Sequence, residues 1–475
     1  MHTQGTRSFS SLRTALTSGE STVEEAVDSA LSRLAAVEAL NAVRHTRIDE
    51  VRREAAEADR VIAQEGERAW RTRPLLGLPL TVKELTAVAG LPYSRGSDGP
   101  AGIAQQDAPA VRRLRDAGAL VLGSTTSPTG GWCGAGLNGT RPPTTNPWNG
   151  HLTAGGSSGG AAAAVATGFG LAATGTDGAG SVRIPASFCG VVGYKPTYGL
   201  VPYAPLSSEG LSHIGTLANT VADAAALLRV MAGPDSADPA SLGVPAFGAA
   251  DVADDGEPLR IAWATTLGTP SPDPAVATVC RTAVERLAAR GHLVEEIDPP
   301  APDGYGSLAT ILATAEARSA APQDDDRLHP VHREVVRWGR GLSGIDLAAA
   351  IEERARLCVA YDALLDTFDV LVTPTVPVLP FDSGLPAPAE YLARGSTQWL
   401  AWTPNTYTFN LSGQPAVTVP VGRSATGLPI GLQIAAGRHR DRKALRIASE
   451  VHGAAADQFA SLPPQTPEVG ASFGH

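Results

Sequence analysis

The chain has 475 residues, 43% hydrophobic and 18% charged, which is the composition of a globular rather than a disordered protein. Its net charge of −10 argues against bulk electrostatic binding to nucleic acid or to an anionic membrane. The four cysteines form no CxxC pair, and no apolar signal segment or membrane-spanning run is found, so we expect a reduced, cytoplasmic protein that binds neither nucleic acid nor membrane.

The first part of the chain alternates helix and strand patterns. Apolar residues repeat at helical spacing over 22–42, and Ser21 with Glu24 predicts a capping box at the start of that helix. The elements that follow are a charged helix over about 47–65, a buried strand within 74–84 that ends at Lys83, a helix over 107–118 and a strand over 119–125. This alternation is typical of an α/β sheet.

A long segment rich in Gly, Pro, Thr and Asn covers 129–160. So long an irregular run in a compact protein is usually functional. It leads into an alanine-rich helix at about 159–168, a strand of small residues and a second glycine-rich turn within 176–190. Two glycine- and serine-rich turns are therefore predicted to flank one short helix.

The rest of the chain continues the same patterns. The softest stretch, about 232–258, is predicted to be a connecting region, and about 456–475 to be a loose C-terminal tail. Between them we predict helices over 274–290 and 347–366 and strands within 369–380 and 415–437. Strands on both sides of the connecting region favour one sheet, and thus a single domain over 1–475.

Lysine is rare in this chain. Only Lys83, Lys195 and Lys443 occur, and arginine supplies the rest of the 38 basic residues. Lysine can lose its proton when it is buried, whereas arginine effectively cannot. Lys83, which ends an apolar strand, is therefore a candidate base.

The GGSSGG turn at 155–160 fits GxSxG, the nucleophile-elbow pattern of α/β-hydrolases. A Ser-His-Asp esterase of that kind needs a histidine later in the chain, and His439 and His452 meet this requirement. The residues before the turn are polar and Gly-rich, however, where the pattern requires a strand. This alternative stays open beside a second one, in which the serine is activated by lysine.

That second interpretation combines three motifs: GLPLTVKE with Lys83, AGGSSGG with Ser157, and GTDGAGSVRIPA with Ser181. A serine hydroxyl needs a neighbouring base to act as a nucleophile. A buried lysine can be that base because desolvation disfavours its charged form. The glycine-rich turn before Ser181 is suited to direct backbone N–H groups at an oxyanion.

These motifs resemble the amidase signature family of serine hydrolases, most densely from Leu76 to Val201. The other matching stretches are TNPWN (145–149), KPTYG (195–199), VLVTPTVP (370–377), NLSGQPAVTVP (410–420) and GLPIGLQ (427–433). The resemblance implies a single α/β/α domain around a large mixed sheet. It also implies that the chain hydrolyses the C–N bond of a small-molecule amide through an acyl-serine, without a metal or an organic cofactor.

The resemblance also assigns roles to individual residues. Lys83 corresponds to the base, Ser157 to a bridging serine and Ser181 to the nucleophile of a Ser-Ser-Lys relay. The residues expected to form the oxyanion hole with their backbone N–H groups are Gly178, Ala179, Gly180 and Ser181. Those expected to contact the substrate are Gly131, Trp132, Cys133, Ile184, Trp402 and Asn405. Lys195, Asp177 and Arg183 are expected to hold loops in place.

The chain departs from the family pattern at three positions. Glu84 follows the base where the family commonly has Asp, Ala179 replaces a glycine of the oxyanion loop, and Thr129 replaces a carboxylate. Unlike glycine, Ala179 has a Cβ, and the residue would be strained if its φ were positive.

Two further alternatives stay open. One is the glutamine-hydrolysing subunit of a tRNA-dependent amidotransferase, although Ile184 stands where those subunits typically have Gln. The other is a non-catalytic binding protein, against which the intact lysine and serines argue. The oligomeric state is open, with a homodimer as one option.

Overall fold

The computed structural model describes residues 8–97, 99, 101–245, 247, 256–268, 271–320, 326–459 and 461–464. Its strands, numbered in chain order, are β1 (Val43–Thr46), β2 (Pro79–Lys83), β3 (Pro92–Tyr93), β4 (Gly102–Ile103), β5 (Leu120–Thr125), β6 (Thr145–Asn146), β7 (Asn149–Thr153), β8 (Ala172–Asp177), β9 (Val192–Lys195), β10 (His213–Ala218), β11 (Arg260–Trp263), β12 (Leu293–Glu296), β13 (Val370–Pro374), β14 (Ala416–Arg423) and β15 (Pro429–Ala436).

The α-helices, numbered in the same way, are α1 (Phe9–Ser18), α2 (Val23–Leu31), α3 (Leu34–Ala39), α4 (Ile48–Glu65), α5 (Ala69–Thr72), α6 (Pro109–Asp116), α7 (Gly159–Thr167), α8 (Arg183–Cys189), α9 (Val221–Met231), α10 (Pro274–Ala289), α11 (Tyr305–Ser319), α12 (Pro330–Gly341), α13 (Gly344–Thr367), α14 (Ala389–Leu392), α15 (Pro404–Leu411) and α16 (Asp441–Gly453). Across the described ranges, no helix is both long and apolar enough to cross a membrane.

Eleven of these strands form one mixed sheet flanked by helices, in the order β1-β5-β2-β8-β10-β9-β14-β15-β13-β11-β12. Four neighbouring pairs are parallel, namely β5–β2, β2–β8, β13–β11 and β11–β12. The remaining neighbours are antiparallel. This architecture confirms the predicted α/β class with a large mixed sheet. The predicted limits of the domain and of its softer regions stay predictions.

The middle strands of the sheet position residues of the candidate active site. Strands β2 and β8 run parallel side by side, so their carboxyl ends, Lys83 and Asp177, lie at the same edge of the sheet. Helix α7 packs against β8 and consists of glycine, alanine, one valine and one threonine, all of them buried. Its small side chains let its backbone lie close to the sheet, so the serine turn before it and β8 are brought together.

Two predictions for individual segments need correction, and a third, the loose tail, lies largely outside the described residues. The helix predicted over 22–42 is two helices, α2 and α3, and its capping box is formed one residue later, by Thr22 and Glu25. Thr22 Oγ1 accepts from the Glu25 N–H at 3.1 Å, and the Glu25 carboxylate accepts from the Thr22 N–H at 3.1 Å. The segment 129–160 contains a short hairpin of β6 and β7. In the predicted loose tail, Phe459 is buried against Trp148, while residues 460 and 465–475 lie outside the described residues.

Candidate active site

Lys83 is wholly buried at the end of β2. Its Nζ lies 2.7 Å from Ser157 Oγ and 2.7 Å from Thr176 Oγ1. Burial lowers the pKa of Lys83 to about 7, although the carboxylates of Asp177 and Glu84 oppose that change. A large fraction of Lys83 is therefore neutral near pH 7, and its nitrogen lies within hydrogen-bond distance of the Ser157 hydroxyl.

Ser157 lies in the glycine-rich turn before α7, and the Gly156–Ser157 peptide bond is cis. The turn packs tightly against the preceding loop, because the Gly156 N–H donates to the Gly134 carbonyl at 2.6 Å. A Cβ on Gly131 would lie 3.1 Å from Ser157 Oγ. The loop around Gly131 therefore forms a close wall of the site beside the hydroxyl that contacts Lys83.

Ser181 follows the tight turn at the end of β8 and is 8% exposed. Its carbonyl accepts a hydrogen bond from the Ser158 N–H at 3.0 Å, which joins the two serine-containing turns. Ser158 Oγ donates to the Thr176 carbonyl at 3.2 Å, so the hydroxyl of Ser158 is used in holding β8. The structure thus brings all three predicted catalytic residues into one buried cluster of turns.

The predicted oxyanion loop differs from the expectation at one residue. The Gly180 N–H points to Asp177 and donates to Oδ1 at 2.8 Å, so it is already satisfied inside the turn. Among the described residues, the N–H groups of Gly178, Ala179 and Ser181 donate no hydrogen bond within the chain, and their role as an oxyanion hole stays a prediction. Ala179 does not have a positive φ, so its Cβ introduces no left-handed strain, whereas Gly180 has a φ of 122°.

A buried ion pair holds this turn. Arg183 donates to both carboxylate oxygens of Asp177, at 2.8 and 3.0 Å, and both side chains are fully buried. Burial raises the pKa of Asp177, but the Arg183 guanidinium outweighs that effect and holds the pKa well below its usual range. Arg183 also donates to Asn410 Oδ1 at 2.6 Å and to Gln433 Oε1 at 2.7 Å. These contacts agree with the predicted loop-holding role.

The predicted pocket residues of the 131–133 loop have different environments. Trp132 is 5% exposed, and its ring stacks on His332 with 4.7 Å between centroids. Cys133 is wholly buried, and burial raises the pKa of its thiol to about 11. A thiol with that pKa is protonated at neutral pH, so Cys133 is not an activated nucleophile. Gly131 borders Ser157, since a Cβ at that position would lie 3.1 Å from Ser157 Oγ.

Trp402 and Asn405 differ from their predicted role as a wall of the substrate pocket. Trp402 is fully buried, packs between Phe188 and Phe381, and donates from Nε1 to the Trp399 carbonyl. Asn405 is also fully buried and uses both ends of its amide on backbone groups. Both side chains are therefore enclosed by protein atoms, and their place in a pocket wall stays a prediction. Ile184 is buried too, and its Cδ1 lies 3.0 Å from where a Cβ of Gly180 would be.

Sequence reasoning missed Thr176 and assigned no role to Glu84, the two residues that hold the base and its loop. Thr176 contacts Lys83 directly, and its signal was its place in GTDGAGS, two residues before the glycine turn. Glu84 accepts hydrogen bonds from the Ser127 N–H at 2.7 Å and from Arg141 at 3.2 Å. Glu84 therefore fixes the start of the loop that follows β5, and its extra methylene relative to Asp is accommodated in that contact.

The nucleophile-elbow alternative has no support in these contacts. Within the described residues, Ser157 Oγ forms its side-chain hydrogen bond with Lys83 and not with a histidine. His439 lies in an exposed loop and donates its backbone N–H to Thr197. The geometry therefore favours lysine as the base.

Comparison with known proteins identifies the family to which the chain belongs. The family model for amidases matches residues 25–445. An acylamidase of Rhodococcus erythropolis is 38% identical over 444 residues, covering 90% of each chain. A 6-aminohexanoate-cyclic-dimer hydrolase of Paenarthrobacter ureafaciens is 33% identical, covering 80% of this chain and 83% of the relative.

Among solved structures, a bacterial aryl acylamidase of the amidase signature family superposes with a TM-score of 0.86 at 26% identity, covering 97% of this chain and 99% of that one. The chain therefore belongs to the amidase signature family and is an amidase, a hydrolase of amide C–N bonds.

Proposed function

We propose that this amidase works by a Ser-Ser-Lys relay, with Ser181 as nucleophile, Ser157 as bridge and Lys83 as base. The observation that carries the proposal is the 2.7 Å contact between Lys83 Nζ and Ser157 Oγ. The same burial that removes Lys83 from water lowers its pKa to about 7. The base is therefore matched to work near neutral pH, where general bases are most effective.

The relay moves one proton out and back. Lys83 takes the proton of Ser157 while Ser157 takes that of Ser181, whose oxygen attacks the amide carbonyl carbon. The oxyanion is stabilised by the free N–H groups of Gly178, Ala179 and Ser181. The proton returns through Ser157 to the leaving nitrogen, and the C–N bond breaks. Water then attacks the acyl-Ser181 ester by the same relay and releases the acid.

The substrate is proposed to be a small-molecule amide. This is supported by the two relatives, which are an acylamidase and a 6-aminohexanoate-cyclic-dimer hydrolase. Ile184 is buried and apolar, whereas the glutamine-hydrolysing subunits of amidotransferases are expected to have Gln at this position. This difference does not favour the glutamine-hydrolysing alternative. A cytoplasmic location and a homodimer remain predictions.

The proposal is tested by measuring acid release from a panel of aliphatic, aryl and cyclic amides. We expect Ser181→Ala to lower kcat by at least about 10³-fold on every amide that the wild type cleaves. His439→Ala is the control, and we expect it to retain wild-type turnover. A folded Ser181→Ala protein that keeps its activity, or a His439→Ala protein that loses it, would refute the relay.

A further inference from the structure

Two buried titratable side chains lie behind the Ser181 turn and take no part in the relay. Lys195, at the end of β9, is fully buried, and His213, at the start of β10, is 3% exposed. Lys195 Nζ lies 2.5 Å from the Gln414 carbonyl, 3.1 Å from the Pro196 carbonyl and 3.2 Å from His213 Nε2. The two side chains therefore form a contacting pair, surrounded by backbone oxygens.

The far side of the His213 ring reaches the active-site turn. Its Nδ1 lies 3.2 Å from the carbonyl oxygen of Asp177, the residue directly before the oxyanion loop. His213 is also the register partner of Asp177 across the β8–β10 ladder. Asn410 Nδ2 donates to the same carbonyl at 2.8 Å. The carbonyl that begins the turn is thus held from two directions.

The contact between His213 and Asp177 depends on a proton. A carbonyl oxygen only accepts, so His213 must carry hydrogen on Nδ1 for this hydrogen bond to exist. Two arrangements satisfy every contact. In one, a charged Lys195 donates to both carbonyls and to a neutral His213 at Nε2. In the other, a neutral Lys195 donates to the carbonyls and accepts from a charged His213. In both arrangements the pair carries one positive charge; burial lowers the pKa of Lys195 and of His213 and so disfavours that charge, while the Asp177 carboxylate favours it.

We propose that Lys195 and His213 are a positioning pair that keeps hydrogen on His213 Nδ1 and so fixes the Asp177 carbonyl and the oxyanion loop behind Ser181. Neither side chain touches the substrate. The proposal rests on the proposed function, because the oxyanion loop is the part of the site that the pair would hold. The pair would therefore act on the transition state, where charge develops on the oxyanion, and not on binding of the ground state.

The experiment compares two substitutions at one position. His213→Leu removes the donor to Asp177, whereas His213→Asn places an amide N–H at the position of Nδ1. Loss of one oxyanion donor costs about 10²–10³-fold in kcat, and a displaced loop should cost less, so we expect His213→Leu to lower kcat about 10- to 100-fold. We expect KM to stay within about twofold and His213→Asn to recover most of kcat.

Lys195→Met tests the other residue of the pair. If His213→Leu does not fold, the kcat of Lys195→Met is the measurement that tests the proposal. It removes the donor to His213 Nε2, and we expect a similar loss of kcat with little change in KM. Lys443→Met is the matched control, because Lys443 pairs with Asp369 at the surface and lies outside the site. We expect it to keep wild-type kcat.

Three results would overturn the proposal: a folded His213→Leu or Lys195→Met protein with near-normal kcat, a His213→Asn protein no more active than His213→Leu, or losses that appear mainly in KM. The proposed function fails separately, through inactivity of the wild type on every amide or full activity of Ser181→Ala. The two failures are therefore distinguishable.

Discussion

Lys83 is suited to be a base because burial lowers the pKa of its amine to about 7, whereas the guanidinium of an arginine stays protonated. We expect Lys83→Arg to lower kcat by at least about 10³-fold in a folded protein. Lys443→Arg, which changes the exposed lysine of a surface ion pair, is the control and should have wild-type kcat. Near-normal turnover by Lys83→Arg would eliminate lysine as the base.

The pKa of Lys83 also predicts how the rate depends on pH. The base acts in its neutral form, and burial lowers its pKa to about 7, so the active form is lost as the pH falls through that value. We expect kcat/KM to reach its plateau above about pH 7 and to fall about tenfold per pH unit below it. A plateau that continued down to pH 5 would show that no group with this pKa controls the reaction.

At the residue scale, the sequence predicted which reactive side chains lie close together better than it predicted their surroundings. The three motifs identified Lys83, Ser157 and Ser181, since each motif combines a reactive side chain with a turn or strand end. The direction of the Gly180 N–H was not predictable, because it depends on a φ of 122° that turns it towards Asp177. Nor does the sequence distinguish an aromatic ring in a pocket wall from one in the core, as Trp402 shows.

At the element scale, the loop before the GGSSGG turn provides a test with an internal control. Gly131 has a φ of 85°, and a Cβ there would lie 3.0 Å from Leu85 Cδ1 and 3.1 Å from Ser157 Oγ. Gly130 has a φ of 63°, but the nearest atom to a Cβ added there would be a carboxylate oxygen of Glu316, 3.6 Å away. Alanine at either position introduces left-handed strain of about 1 kcal/mol, and only alanine at 131 crowds the bridging serine.

We therefore expect Gly131→Ala to lower kcat about 10-fold or more and Gly130→Ala to stay within about twofold of wild type, with similar losses of stability. Steady-state kinetics and thermal melts of the two proteins make the comparison. Equal losses of kcat would mean that strain in the loop, and not the contact with Ser157, controls activity.

At the scale of the whole molecule, the buried ion pair of Asp177 and Arg183 ties β8 to α15 and β15, because Arg183 also donates to Asn410 and Gln433. Arg183→Met would leave a buried carboxylate without its counter-ion, which typically costs about 3–5 kcal/mol of unfolding free energy. Arg52→Met, which breaks an exposed pair with Asp28, should cost at most about 1 kcal/mol. Urea denaturation measures both, and equal losses would contradict a special role for the buried pair.

The sequence predicted the class of the fold because helix and strand patterns alternate along it. It did not predict the strand order. Strand β9 lies between β10 and β14, and its pairing with β14 joins Lys195 to Ala416, far apart in the chain. Such long-range pairing depends on how whole elements pack, which local patterns do not record. The resemblance to a known family supplied the rest of the expected architecture.

The most direct test of the account is to label the wild-type protein with a fluorophosphonate and to locate the adduct by peptide mass spectrometry. We expect the adduct on Ser181 and on none of Ser157, Ser158 or Cys133, with much slower labelling in Lys83→Arg. An adduct on Ser157 or Ser158, or a labelling rate that does not change in Lys83→Arg, would contradict the Ser-Ser-Lys relay.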